Sequence, residues 1–141
     1  MYRTDLGLSD PILVTAFNSY VFGLDRQSGQ PLWSHKLAGQ SSTVELALLE
    51  NVVVALDQAS LTFLEYATGR LLGSVTLAGG GTRATMLIDG PHVYVARSGE
   101  VACYTSHGNL VWLQPFKGFG YGAVAMALPG GVRQADDIGR S

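Results

Sequence analysis

Few side chains in this sequence belong to types that do chemistry, and their spacing limits what they can do. Gly118-x-Gly120-x-x-Ala123 has the outline of a dinucleotide-binding loop, in which glycines let the backbone approach a pyrophosphate at the start of a helix. No βαβ pattern surrounds it. It reads as a flexible entry to the last strand. Gly79-Gly80-Gly81-Thr82 has the backbone freedom to cradle an anion but lacks the Lys-Ser/Thr of a phosphate loop. His35, His92 and His107 stand at no metal-ligand spacing. Ser41, Ser42, Asp57, Glu65 and Asp89 form no nucleophile elbow or similar context. Cys103 is the sole cysteine, which excludes an internal disulfide and any multi-cysteine metal site. In the apolar run VACY it reads as a small core residue. No catalytic, cofactor-binding or metal-ligating residue is expected, no cofactor is implied, and an enzyme is not predicted. Trp33, Tyr104 and Trp112 are of a type that stacks on sugars, while Arg70, Arg83 and Arg97 read as solubilising charges.

The elements that must position these residues come from a repeat. VFGLDRQSGQPLW (Val21 to Trp33), LTFLEYATGRLLG (Leu61 to Gly73) and EVACYTSHGNLVW (Glu100 to Trp112) align on Gly29, Gly69 and Gly108, spaced by 40 and then 39 residues. Counted from these glycines, Leu24, Leu64 and Cys103 correspond, as do Trp33, Gly73 and Trp112. A second set of runs starts at Val14, Val54 and Val93, and a third at Thr43 and Thr82. RTDLGLSD from Arg3 and YGAVAMALPG from Tyr121 are looser relatives of the third. The runs are short, rich in Val, Leu, Tyr and Phe, and separated by turn formers such as Asn18-Ser19 and Ser98-Gly99. That pattern predicts strands, four per repeat of about 40 residues, which is the arithmetic of propeller blades. The chain is expected to be all-β.

The turn LDRQSGQPLW resembles the blade signature of the quinoprotein-type, or PQQ-like, β-propeller repeats, Ala-x-Asp-x-x-Thr-Gly-x-x-x-Trp. Gly23, Asp25, Ser28, Gly29 and Trp33 fall on its positions. The second repeat keeps Thr68-Gly69 with Glu65 for Asp and Gly73 for Trp; the third keeps Gly108 and Trp112, with Tyr104 read in the Asp position. The resemblance implies that Asp25, Gly29, Trp33, Gly69, Gly108 and Trp112 are turn and blade-lock residues, the Trp docking between adjacent blades. The family's dehydrogenases imply a calcium site, a catalytic Asp and adjacent cysteines. One cysteine and three repeats point instead to a non-enzymatic member, similar to the assembly-scaffold propellers of the bacterial envelope.

Closed propellers have roughly 4–8 blades, so three repeats leave two apolar faces open. Charged residues make up 14% of the 141 residues, against about 25% on average, and mean hydropathy is +0.20. That composition excludes a disordered chain and fits extra burial at an interface. Nine Lys and Arg against eleven acids, net charge -2, give no electrostatic grip on nucleic acid. No signal peptide is visible in MYRTDLGLSDP, and the uncharged stretch Gly118 to Val132 is shorter than a membrane span. A cytoplasmic protein without membrane insertion is expected. The predicted organisation is three blades over about 1–40, 41–79 and 80–118, an extra strand over 119–129, and a flexible tail from 132 to 141. The favoured function is a protein-interaction scaffold that pairs as a homodimer into six blades and meets an unknown protein partner. A lectin-like or small-molecule-binding propeller is the alternative. Tyr121, Val124, Met126 and Leu128 of the surplus strand are the oligomer-interface candidates.

Overall fold

Runs of β-branched and aromatic residues, broken every five or six positions by pairs that accept left-handed backbone, favour short antiparallel hairpins. The computed structural model describes residues 11–39, 44–58, 60–77 and 83–133. Its strands are β1 (Ile12–Phe17), β2 (Tyr20–Asp25), β3 (Pro31–Lys36), β4 (Glu45–Leu49), β5 (Val52–Leu56), β6 (Ser60–Glu65), β7 (Leu71–Thr76), β8 (Thr85–Asp89), β9 (His92–Arg97), β10 (Glu100–Thr105), β11 (Leu110–Gln114), β12 (Met126–Leu128) and β13 (Gly131–Arg133). They form antiparallel sheets in chain order: β1 to β3, β4 to β7, β8 to β11, and the hairpin β12–β13. The tight turns are built as the residue types require. Asn18 and Ser19 sit at φ 52° and 69°, Ser98 and Gly99 at 52° and 80°, the paired positive angles whose twist matches the flanking strands.

The second and third blades hold the four strands expected of them. The first shows three among the described residues; the expected partner strand Arg3–Asp10 lies outside them. The end of the chain differs from expectation. Strand structure between 119 and 129 is confined to Met126–Leu128, and it pairs with β13 of its own chain, Met126 opposite Arg133. The tail expected from 132 therefore begins inside a strand, and residues 134–141 lie outside the described set. The turn at Pro129-Gly130, with Gly130 at φ 88°, closes this hairpin, so the segment reads as the first half of a further repeat.

The middle sheet is buried on both faces. Leu61, Phe63 and Val54 on one side pack with Met86, Val93, Val95 and Tyr104 of the third blade. Leu64, Val53 and Ala55 on the other pack with Val21, Leu37 and Trp33 of the first. All five residues of β5 are buried, which is why VVVAL reads as a continuous apolar run rather than an alternating one. Among the described residues no helix is long and apolar enough to cross a membrane.

Because Leu61 and Leu64 serve opposite faces and are both fully buried, each is irreplaceable by its neighbour. Leu61→Ala and Leu64→Ala should each destabilise the chain by about 2–5 kcal/mol in urea unfolding. A cost under about 1 kcal/mol at either would contradict the two-faced core.

Candidate functional site

The feature that organises this molecule is an aromatic side chain laid on a glycine of the next blade. Trp33 on β3 pairs across the strand with Gly23 on β2. A Cβ on Gly23 would overlap the indole, and a Cβ on Gly69 would overlap its opposite side. The ring is thus clamped between its own sheet and the turn of the second blade. Its Nε1–H donates to the Tyr66 carbonyl at 3.0 Å. The Tyr66 hydroxyl ties the same junction, donating to the Ile12 carbonyl and accepting from the Ile12 amide, both at 2.9 Å.

The second junction uses the same device with the sizes exchanged. Gly73 stands where Trp33 does, and opposite it is Phe63, where the first blade has Gly23. Phe63 reaches the next turn glycine, its ring 3.2 Å from where a Cβ on Gly108 would lie. Gly73 in turn sits so close to the His107 carbonyl that a Cβ would collide. The expected loss of the lock at Gly73 is therefore a relocation of the aromatic group to the neighbouring strand. The sequence reading missed Phe63; the reciprocal exchange Gly23/Trp33 for Phe63/Gly73 was the signal that could have found it.

Each turn is held open for this contact by its first residue. The Asp25 carboxylate accepts from the Gln27 and Ser28 amides at 2.8 and 3.3 Å, and Gly29 N–H closes the turn on the Asp25 carbonyl at 2.8 Å. Glu65 accepts from the Thr68 hydroxyl at 2.6 Å and from Arg70 at 3.3 Å. The Thr68 bond first, then Arg70, holds its carboxyl below the usual range. In the third turn the opener is Thr105, whose hydroxyl accepts from the His107 and Asn109 amides. This corrects the register of the sequence reading. A β-bulge falls after Gly23, Phe63 and Cys103 alike, so Cys103 corresponds to Gly23, and Tyr104 to Leu24 and Leu64. The residue missing from the third repeat is in the turn itself, which closes Gly108 on Thr105 instead of reaching one residue farther.

The expected site residues fall out as follows. Asp25, Gly29, Trp33, Gly69 and Gly108 take the turn and lock positions. Trp112 takes the plug position opposite Cys103 but stays 44% exposed, with Tyr94 tilted against it at 5.8 Å. Tyr121 is almost fully exposed, Val124 is half-buried outside any strand, and Met126 and Leu128 are half-buried on β12. The chemically capable residues do not converge. Buried Asp57 accepts from the Ser60 amide and hydroxyl and serves its own turn. His35 is on β3, His92 opens β9, and His107 is in a turn with Ser106 at 3.2 Å. Burial lowers the pKa of His35 and raises that of Cys103. Among the described residues no three His, Cys, Asp or Glu side chains gather as a metal site. A calcium-quinone centre asks for acidic and amide donors with adjacent cysteines, and the described residues do not fit it.

A family profile described as outer membrane protein assembly factor BamB matches residues 49–137. No curated protein matches the chain. Among solved structures, BamB from Moraxella catarrhalis is 17% identical with a TM-score of 0.57, covering 73% of this chain and 32% of that one. A europium-containing methanol dehydrogenase is 19% identical, TM-score 0.57, over 80% of this chain and 23% of that one. The computationally designed Ika4 protein is 25% identical, TM-score 0.57, over 72% and 65%. The chain thus spans about a third of that BamB chain and about a quarter of the dehydrogenase.

Gly29 and Gly69 share a positive φ, 79° and 75°, but only Gly69 has an indole against it. Gly69→Ala should therefore destabilise the dilute chain by about 1–3 kcal/mol more than Gly29→Ala, measured by urea unfolding; equal costs would mean that the lock contributes nothing. Because Cys103 is buried and its thiol is pushed up by desolvation, Ellman's reagent at pH 8 should label the folded chain far more slowly than the urea-unfolded chain.

Proposed function

The chain belongs to the PQQ-like repeat family described as outer membrane protein assembly factor BamB, and from that premise we propose that it is a non-enzymatic, self-associating propeller unit acting as a protein-interaction scaffold. Two copies of three blades would close a ring of about six, within the usual range, whereas three copies would give about nine.

The observation that carries this reading is that both terminal sheets present apolar side chains outward. On the first blade Leu13, Phe17 and Tyr20 are exposed; Phe22 rests against Phe17 and Tyr20 at 5.6 and 5.8 Å. On the third, the whole of β11 is exposed although it reads LVWLQ. Contiguous apolar surface of this kind marks an interaction site, and a sheet apolar on both faces is stable only when both are covered. BamB is itself named as an assembly factor, which supports a scaffold role over catalysis. The half-buried Tyr94 beside the exposed Trp112 favours a second reading, a lectin-like or small-molecule-binding propeller, because such a pair stacks on sugar rings.

Light scattering coupled to size exclusion is expected to give twice 14.9 kDa, falling toward the monomer on dilution. A mass of one chain at every concentration would contradict self-association. A thermal-shift screen separates the second reading: reproducible stabilisation by one glycan class would favour it.

A further inference from the structure

We infer that the chain carries the two halves of one unfilled blade lock at its opposite ends, and that Trp112 of one copy seats on the Asp25–Gly29 turn of a second copy. This rests on the self-association reading and specifies the residues that make the contact.

The seat is preformed. In the filled lock between the first two blades, Trp33 lies on a turn defined by three backbone bonds: Glu65 N–H to Arg70 O at 2.8 Å, Gly69 N–H to Glu65 O at 2.7 Å, and Tyr66 N–H to Asn51 O at 2.9 Å. The first blade repeats each of them 40 residues earlier: Asp25 N–H to Gln30 O, Gly29 N–H to Asp25 O, and Arg26 N–H to Pro11 O, all at 2.8 Å. Gly29 has the same left-handed backbone as Gly69. Yet where Gly69 meets Trp33 and Gly108 meets Phe63, Gly29 has nothing within 4 Å among the described residues. The carbonyl of Arg26 stands where Tyr66 offers its own to the Trp33 indole.

The plug is preformed as well. Trp112 sits opposite Cys103 directly before the same β-bulge that follows Gly23 opposite Trp33. Tyr94 supports one side of it. In the folded chain it remains exposed, while the other two aromatic plugs are covered by the following blade. At the other end of β10, Gly99 N–H donates to the Gly122 carbonyl at 2.9 Å. The Trp112 end stays open.

A plug and a seat on opposite faces of one molecule cannot meet within three blades. They fit a heterologous, head-to-tail contact, which closes into a ring when the rotation allows. The occupant of each half is accordingly a second copy: no aromatic group meets the seat among the described residues, and the third blade presents one in the register of Trp33. The indole N–H of Trp112 would donate to the partner's Arg26 carbonyl, as Trp33 does to Tyr66.

The test uses the 141-residue chain with Trp112→Ala and Gly29→Asn, since asparagine tolerates positive φ and its Cβ would block the seat. Far-UV circular dichroism confirms the fold of each. Each variant should raise the dissociation constant by at least about 30-fold, read by light scattering across a dilution series. An equimolar mixture should associate more tightly than either variant alone, because one junction then joins an intact Trp112 to an intact Gly29. Wild-type association that neither variant weakens overturns the assignment and leaves self-association standing. Variants that weaken association but do not complement overturn the pairing of these two halves. A wild-type chain that is monomeric throughout overturns both.

Discussion

A four-stranded sheet with apolar side chains on both faces cannot be stable alone, and everything else in this molecule follows from that constraint. The middle blade meets it fully: its two faces feed two separate clusters of buried residues, one shared with each neighbour. Hydrophobic burial is non-directional and would hold such sheets at many angles and offsets. The aromatic-on-glycine contact supplies the direction. It requires a large ring at one edge of a sheet and a turn without a Cβ at the matching edge of the next, so a blade slipped by one strand or rotated about its axis loses the fit.

The lock also explains how the repeats diverge without losing the architecture. Trp33 opposite Gly23 and Phe63 opposite Gly73 place one ring and one hydrogen atom at each cross-strand pair. What is kept is the filled space next to the following turn, not the strand that fills it. The turn openers behave alike. Asp25, Glu65 and Thr105 differ in charge and length, yet each offers a side-chain oxygen to its own turn. In the first and third turns that acceptor serves amides without a strand partner; in the second, Glu65 holds the Thr68 hydroxyl, which itself accepts from the Arg70 amide.

The repeat period, the strands and the turn glycines were legible in the sequence because periodic apolar runs and left-handed turns are local properties. The resemblance to PQQ-like repeats added the expectation that Trp33 docks between blades; its indole lies against Gly69 and donates to the Tyr66 carbonyl. Three things were not legible. Counting back from Gly108 put the missing residue in the strand and made Tyr104 a turn opener. The structure buries Tyr104 with Val93 and Met86, because the loss of a residue is accommodated more easily in a turn than in a paired strand facing a core. Phe63 looked like one more core residue, since its value as a plug depends on Gly73 across the sheet. The final strand looked like a single long one because YGAVAMAL is continuously apolar, but only Met126–Leu128 pairs as a strand.

The low charge content now has a local cause. In a closed ring every blade is an interior element on both faces, and only the edges and loops need charge; a run of blades inherits that composition at its two ends as well. Its terminal faces therefore differ from an ordinary exposed patch. On the pairing proposed above, one carries the seat and the other the plug of the same contact, which makes them complementary to each other and not to themselves. Self-complementary patches give two-fold pairs at any curvature, whereas faces of this kind form a closed object only if the per-blade rotation sums to a full turn. The hairpin β12–β13 bears on that sum. It sits beside β8, where a following blade would begin, and β12 already has its hydrogen bonds to β13. An incoming first blade must either pack beyond this hairpin or replace β13 with its own β1. In the self-association proposed above, replacement would conserve the strand count, since β1 and β13 are both edge strands of their sheets.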